Sequence, residues 1–203
     1  MSLFGSAAAV LTILVSQEAA LPVPVTDSTR SVWQIDAGHS DISFRIRHFM
    51  SRVRGTFNQW SGTITADSGQ WSGGAVEVTL ETASVDTRHE RRDADLRSAN
   101  FFDAANHPTI TFKSTKVETR DSNLVITGDL TIKGVTRPVV LEGRFLGLEA
   151  AGAGRQRVGF EARGTINRID YGVTWNRVLE GGGAMLGDEV EIEIAIEATR
   201  RTE

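Results

Sequence analysis

Between Val32 and Ala198, apolar and polar residues alternate in short runs with a period of two. In the run His39–Phe57, HSDISFRIRHFMSRVRGTF, Ile42, Phe44, Ile46 and His48 fall on one side, and Asp41, Ser43, Arg45 and Arg47 on the other. Successive side chains of a strand point to opposite faces, so this is a half-buried β-strand whose apolar row ends in a histidine. VWQIDAG precedes it, and Val53–Ile64 reads as the next strand. Ala75–Thr82 sets Val76, Val78 and Leu80 on one face, and Pro108–Thr115 places Ile110 with Phe112. Leu124–Ile132 and Val135–Phe145 meet at Lys133-Gly134, a tight-turn signal. Arg157–Ile166 aligns Val158, Phe160 and Ala162, while Glu189–Ala198 opposes Val190, Ile192, Ile194 and Ile196 to Glu189, Glu191 and Glu193. Glutamates along a strand face mean that the face meets water. About eight such strands, separated by turn-rich segments, predict an antiparallel sheet closed as a barrel or folded as a sandwich. An eight-stranded barrel is just wide enough to hold one small ligand.

One segment breaks the period. Asp86–Phe102, DTRHERRDADLRSANFF, has no alternation, and Thr87 with Glu90 three residues on fits a capping box. A helix of about three turns is expected there. Its apolar content is thin (Ala94, Leu96, Ala99, then Phe101 and Phe102), which suits a flap anchored by two phenylalanines on the barrel surface. Ala150–Gly154 and Gly181–Gly183 read as loops between strands.

Residues 1–20 contain an uncharged apolar run, Phe4–Val15, too short to span a bilayer but of signal-peptide length. It lacks a preceding Lys or Arg, so a plain apolar tail is the competing reading. Residues 21–31, with LPVPVTDSTR, read as a linker, and 32–199 as the folded unit. The net charge of −4 comes with basic residues scattered among acidic ones, which offers no nucleic-acid groove. The chain has no cysteine, so disulfides and thiolate metal sites are excluded.

The chemistry-bearing motifs are sparse. The four histidines, His39, His48, His89 and His107, show no metal-ligand spacing, and no metal is expected. No nucleophile elbow is present, and His39, Ser40 and Asp41 are strand neighbours that cannot form a triad. The stretches GAGRQR and GGGAMLG fail as phosphate loops. Asp93, Asp95, Asp103 and Asp170 carry no signal that pushes one of them into an apolar pocket. No catalytic residue is assigned. His48 ends an inward row and so belongs near one mouth of the barrel; it is either a ligand contact or a histidine satisfied by a backbone carbonyl.

The blocks HSDISFRIRHFMSRVRGTFNQWSG, RRDADLRSANFFDAANHPTITFKS, LTIKGVTRPVVLEG and INRIDYGV, in this order, resemble the YceI-like family of lipid- or polyisoprenoid-binding proteins. The resemblance covers residues 32–199. It departs at Asp95, which stands where the family's helix motif commonly has a histidine. The resemblance implies a mainly β, lipocalin-like antiparallel barrel with an appended helix. It also implies a non-catalytic binder of a long isoprenoid lipid or quinone, often exported to the periplasm or secreted, and often a homodimer. No other cofactor and no membrane span is implied.

Alternation and resemblance together nominate the tunnel wall. Ile42, Phe44, Ile46, Val53, Phe57 and Trp60 come from the first strands. Val78, Leu80, Ile110, Phe112 and Leu130 follow, and Phe160, Ile192 and Ile194 complete the set. His48, Arg92, Asp93, Asn167 and Arg168 are the candidates for a head-group contact; for the two adjacent pairs, fold-holding ion pairs and turn caps are the competing reading. Two rival functions remain at this level. One is a barrel enzyme acting on an apolar substrate, with His48 as acid–base group. The other is an unliganded interaction module whose lumen is filled by side chains.

Overall fold

The computed structural model describes residues 30–201 apart from Ser68 and Ser122. The apolar N-terminal run and most of the linker therefore lie outside the described residues. The strands in chain order are β1 (Ser31–Ile35), β2 (Asp41–His48), β3 (Ser51–Phe57), β4 (Trp60–Asp67), β5 (Gln70–Glu81) and β6 (Val85–Asp86), then, after helix α1 (Glu90–Arg97), β7 (Thr109–Arg120), β8 (Asn123–Ile132), β9 (Val135–Ala150), β10 (Arg155–Asn167) and β11 (Leu186–Arg201). The folded unit begins at Ser31, one residue inside the expected linker, and runs to Arg201.

All pairings are antiparallel and follow the order β1-β4-β5-β7-β8-β9-β10-β11, with β1 returning to β11 through Gln34↔Thr199 and Ile35↔Ala198. That ring is a closed eight-stranded barrel. The remaining strands are continuations of barrel strands past a bend. β1 leads into β2 through a 3-10 turn, Ala37–His39, in which the Asp36 carboxylate accepts the Gly38 N–H at 3.0 Å. β3 leads into β4 across Asn58 and Gln59, and β5 into β6 across Thr82–Ser84. Beyond the bends, β2 pairs with the first half of β11, β3 with β2, and β6 with β3. At this end α1 and the turns that follow it lie between β6 and the β8–β9 hairpin, where Lys133 Nζ donates to Ala99 O at 3.0 Å.

The single strand expected over Val53–Ile64 is thus two strands, because the break at Asn58–Gln59 carries no Gly or Pro to announce it. β7 continues past the expected end at Thr115. A bulge between Ser114 and Lys116 inserts one residue, flips the phase and turns Val117 inward. The helix is shorter than expected and is not closed by a capping box. Its N-cap is His89, whose Nδ1 accepts the Arg92 N–H at 3.3 Å, and Thr87 is committed elsewhere. The Lys133-Gly134 turn forms as read, with both residues at positive φ.

The inner faces pack as two clusters. One seals the end of the barrel where β1 meets β11. Trp33, Val158 and Ala198 are fully buried there, and Trp71 stacks on Trp33, Phe145 and Phe160 with ring centroids 4.8–5.6 Å apart. The other gathers Leu80, Phe101, Ile110, Leu130, Tyr171, Val173 and Leu186 under α1 and the loops. On the outer face, Arg45–Glu193, Arg144–Glu161 and Lys113–Glu77 are cross-strand pairs at 2.7–3.0 Å. All are solvent-exposed and screened by water, so they add little to stability.

Two glycines shape the space between the clusters. The Phe44 ring lies over Gly55, its direct partner across β2 and β3, and a Cβ there would collide with the ring. Phe112 lies over Gly128 in the same way, where a Cβ would sit 2.5 Å from the ring. Both rings rest against the barrel wall because the residue beneath them has no side chain.

Candidate ligand-binding cavity

An inward apolar side chain in a packed core has almost no free surface, as Trp33 and Val158 show. Phe44, Ile46, Phe57, Val78, Phe112, Ile192 and Ile194 point inward too, yet each is only half-buried. Their free surface faces a cavity of about 870 Å3 that runs from the Trp71–Phe160 floor to the region beneath α1. The lumen is open. The side-chain-filled barrel required by the interaction-module reading is not what forms.

Every nominated wall residue borders this cavity except Trp60. Trp60 starts β4 at the bend and is packed against both clusters, which takes its ring off the void. Ile126, Leu141 and Ile166 line the cavity although they were not nominated, and alternation along their strands carried that signal. Phe101, Phe102 and Trp175 close over the opening, with Phe102 6.0 Å from Phe57 and Trp175 5.2 Å from Phe101. Nothing in the non-repeating sequence around Trp175 marked it.

The nominated polar residues divide. His48 borders the cavity near its mouth, opposite Leu186, and its ring has no hydrogen-bond partner among the described residues. Arg92 borders it as well, but its guanidinium is spent on Thr87, donating from Nε to Oγ1 at 2.6 Å and from NH2 to the carbonyl at 2.8 Å. Asp93 does not reach the cavity. It is buried, and Oδ1 accepts both the N–H of Thr87 at 2.9 Å and its hydroxyl at 2.5 Å. Asn167 is likewise off the cavity, capping the 3-10 turn Arg168–Tyr171 by accepting the Ile169 N–H at 2.9 Å.

Arg168 is 4% exposed and anchors the long loop before β11. It donates to the carbonyls of Gly187, Val173 and Trp175 at 2.5–3.0 Å and to Asp188 Oδ1 at 3.2 Å. Burial lowers its pKa, and Asp188 opposes the shift. Asp93 and Asn167 are therefore fold-holding groups off the cavity, whereas Arg168 borders the cavity while its guanidinium holds the loop. Arg91, His89 and Asp95 of the helix, together with His48, form the polar edge of the mouth. No cluster of three or more metal-ligating side chains occurs among the described residues.

An apolar lumen inside a closed eight-stranded meander, roofed by one short helix and a phenylalanine pair, defines a lipocalin-like binding barrel. The chain belongs to the YceI-like family: the YceI-like domain profile matches residues 33–198. Protein YceI of Salmonella arizonae is 42% identical over 164 residues, which are 80% of this chain and 83% of that protein. The YCEI protein of Campylobacter jejuni is 31% identical in its crystal structure and superposes with a TM-score of 0.66 over 82% of this chain and 96% of that one. A domain from Saccharophagus degradans described as polyisoprenoid-binding shares the fold at 16% identity, with a TM-score of 0.58 over 84% of this chain and 98% of that one.

Proposed function

We propose that the protein is a non-catalytic carrier that holds the apolar tail of a polyisoprenoid or isoprenoid quinone in its lumen and acts outside the cytoplasm. The observation that carries this reading is the open lumen lined by half-buried Phe, Ile and Val side chains. Left in water, such a surface is unfavourable, and an apolar ligand gains about 0.8 kcal/mol per buried carbon. The S. degradans domain, described as binding polyisoprenoids, supports the ligand class. The acid–base reading of His48 is weaker, since no carboxylate orients its ring among the described residues.

The test is native mass spectrometry on the protein purified without detergent from a membrane-rich host. A stoichiometric isoprenoid adduct is expected. A protein that emerges empty and then rejects added polyprenols and quinones would overturn the reading.

A further inference from the structure

Tyr171 ends the 3-10 turn Arg168–Tyr171 and is 2% exposed. It belongs to the cluster under α1, with Phe101, Val173 and Leu186, and it borders the lumen at that end. Its hydroxyl is buried and has no hydrogen-bond partner among the described residues. A buried phenol ordinarily finds a partner, because an unmade hydrogen bond leaves the desolvation of the oxygen uncompensated. Phenylalanine would fill the same space without that cost. Trp71 Nε1, at the opposite end, is also buried and unpartnered on the lumen wall. Its N–H comes with the indole that stoppers the barrel, whereas the Tyr171 oxygen is an addition to a ring that packs without it.

The phenol is held in place from both sides. Asn167 caps the turn, Gly172 N donates to Ile169 O at 3.0 Å and Val173 N to Arg168 O at 3.2 Å. Just beyond, the Arg168 guanidinium ties down the Val173 and Trp175 carbonyls. A donor fixed in this way meets an acceptor at little ordering cost. Burial and then Asp170, against Arg137, push its pKa up to about 12, so the proton stays on the oxygen. The protein supplies no acceptor and the oxygen is shut off from solvent, which leaves the contents of the lumen. The surroundings narrow the chemistry. Of the arginines that border the lumen, Arg92 and Arg168 are spent on Thr87 and on the loop carbonyls, and Arg91 is exposed at the rim. Arg137 is exposed and off the lumen. With no free cation on the wall beside the phenol, the acceptor is neutral. Phe101, Phe102 and Trp175 roof the same end with aromatic rings, against which a flat conjugated ring packs well.

We propose that the Tyr171 hydroxyl donates a hydrogen bond to a carbonyl oxygen of a quinone-type head group, and so selects cargo bearing that group over bare hydrocarbon. The inference rests on the carrier reading and deepens it. Two probes with one three-unit isoprenoid tail test it: a 1,4-benzoquinone carrying the tail, and the tail on a benzene ring without the carbonyls. Binding to the full chain is followed by tryptophan fluorescence, and the quinone carbonyl stretch by infrared difference spectroscopy. Wild type should bind the quinone about tenfold more tightly than the benzene, with one carbonyl band moved to lower frequency. Tyr171→Phe keeps the ring and loses only the oxygen. It should bind the benzene as wild type does, bind the quinone about tenfold more weakly, and leave the carbonyl band unshifted. Without ligand it should melt no lower than wild type near neutral pH, since the group removed had no partner. A wild type that does not distinguish the probes, or a variant that loses both equally, overturns the proposal and leaves the carrier reading standing. So does a ligand-free Tyr171→Phe that melts lower, because the hydroxyl would then already be satisfied within the protein. If neither probe enters the wild type, the carrier reading falls and this inference with it.

Discussion

Ala162 faces the lumen from the middle of β10, half-buried, with Gly143 and Ile194 as its cross-strand neighbours. Replacing it with tryptophan adds about nine non-hydrogen atoms. At about 30 Å3 per atom, the share of one water in the liquid, the ring takes about 270 Å3. That is roughly a third of the 870 Å3 lumen. On the same scale the wild-type lumen holds on the order of thirty atoms, or about six isoprene units, and Ala162→Trp about four. Nine carbons denied burial forfeit about 7 kcal/mol gross, and the ordering of the longer chain offsets much of it. The expected result is at least about a hundredfold loss of affinity for a six-unit prenol, ~2.7 kcal/mol, with a four-unit prenol bound as before. Tryptophan-fluorescence titration with both prenols, checked by native mass spectrometry, reads the difference. Equal affinity for the six-unit chain in a folded variant would refute the placement of the tail in the lumen.

Three further outcomes follow from contacts described above. Tyr171 is the chain's one tyrosine, and its hydroxyl is buried without a hydrogen-bond partner among the described residues; burial and then Asp170 push its pKa up to about 12, against Arg137. Absorbance at 295 nm should show no ionisation of the folded protein through pH 10–11. Since the unfolded phenol ionises near 10, stability should fall as pH rises from about 10 to 12, and fall less steeply in Tyr171→Phe; a native titration midpoint near 10 would contradict the burial. Gly128→Val should lower stability by about 1–3 kcal/mol in urea unfolding, because the new side chain meets the Phe112 ring and the Lys113 carbonyl; an unchanged midpoint would mean that the ring is not held against the wall. Arg168→Ala leaves the Val173, Gly187 and Trp175 carbonyls without their donor and should cost about 2–3 kcal/mol, with Lys a poor substitute for the forked guanidinium; full stability of either variant would refute the anchoring role.

The strands whose faces differ most in polarity were the ones legible beforehand. Val190 to Ile196 against Glu189, Glu191 and Glu193 could only be a strand with one wet side, and it is the strand that closes the barrel. The Lys133-Gly134 hairpin was equally plain. The break at Asp36–Ser40 is made locally, by Asp36 and Gly38, but alternation could not carry the bends at Asn58–Gln59 and Thr82–Ser84, since these are made by long-range pairing with β6 and β7 rather than by local turn residues. Alternation also names which side chains face inward without saying how far inward they reach. Trp60 and Phe44 carry the same inward pattern, and only the glycine under Phe44 and the two clusters around Trp60 decide which one borders open space. Thr87 and Asp93 were misjudged for a related reason. A hydroxyl three residues before a glutamate looks like a cap, but a buried carboxylate six residues away accepts its proton more favourably.

The plug of Trp33, Trp71, Phe145 and Phe160 has a directional consequence. A barrel stoppered at one end cannot serve as a conduit between two compartments. Whatever enters must leave by the same door, so delivery requires the whole molecule to travel, presenting one face first to a donor and later to an acceptor. The blind end also enforces orientation, since a tail can go in only foremost and the opposite terminus of the cargo stays at the threshold. For the carrier proposed above, the aromatic stopper therefore means a shuttle, with every exchange made across the rim formed by α1, the Phe49 hairpin and the loop that Arg168 holds.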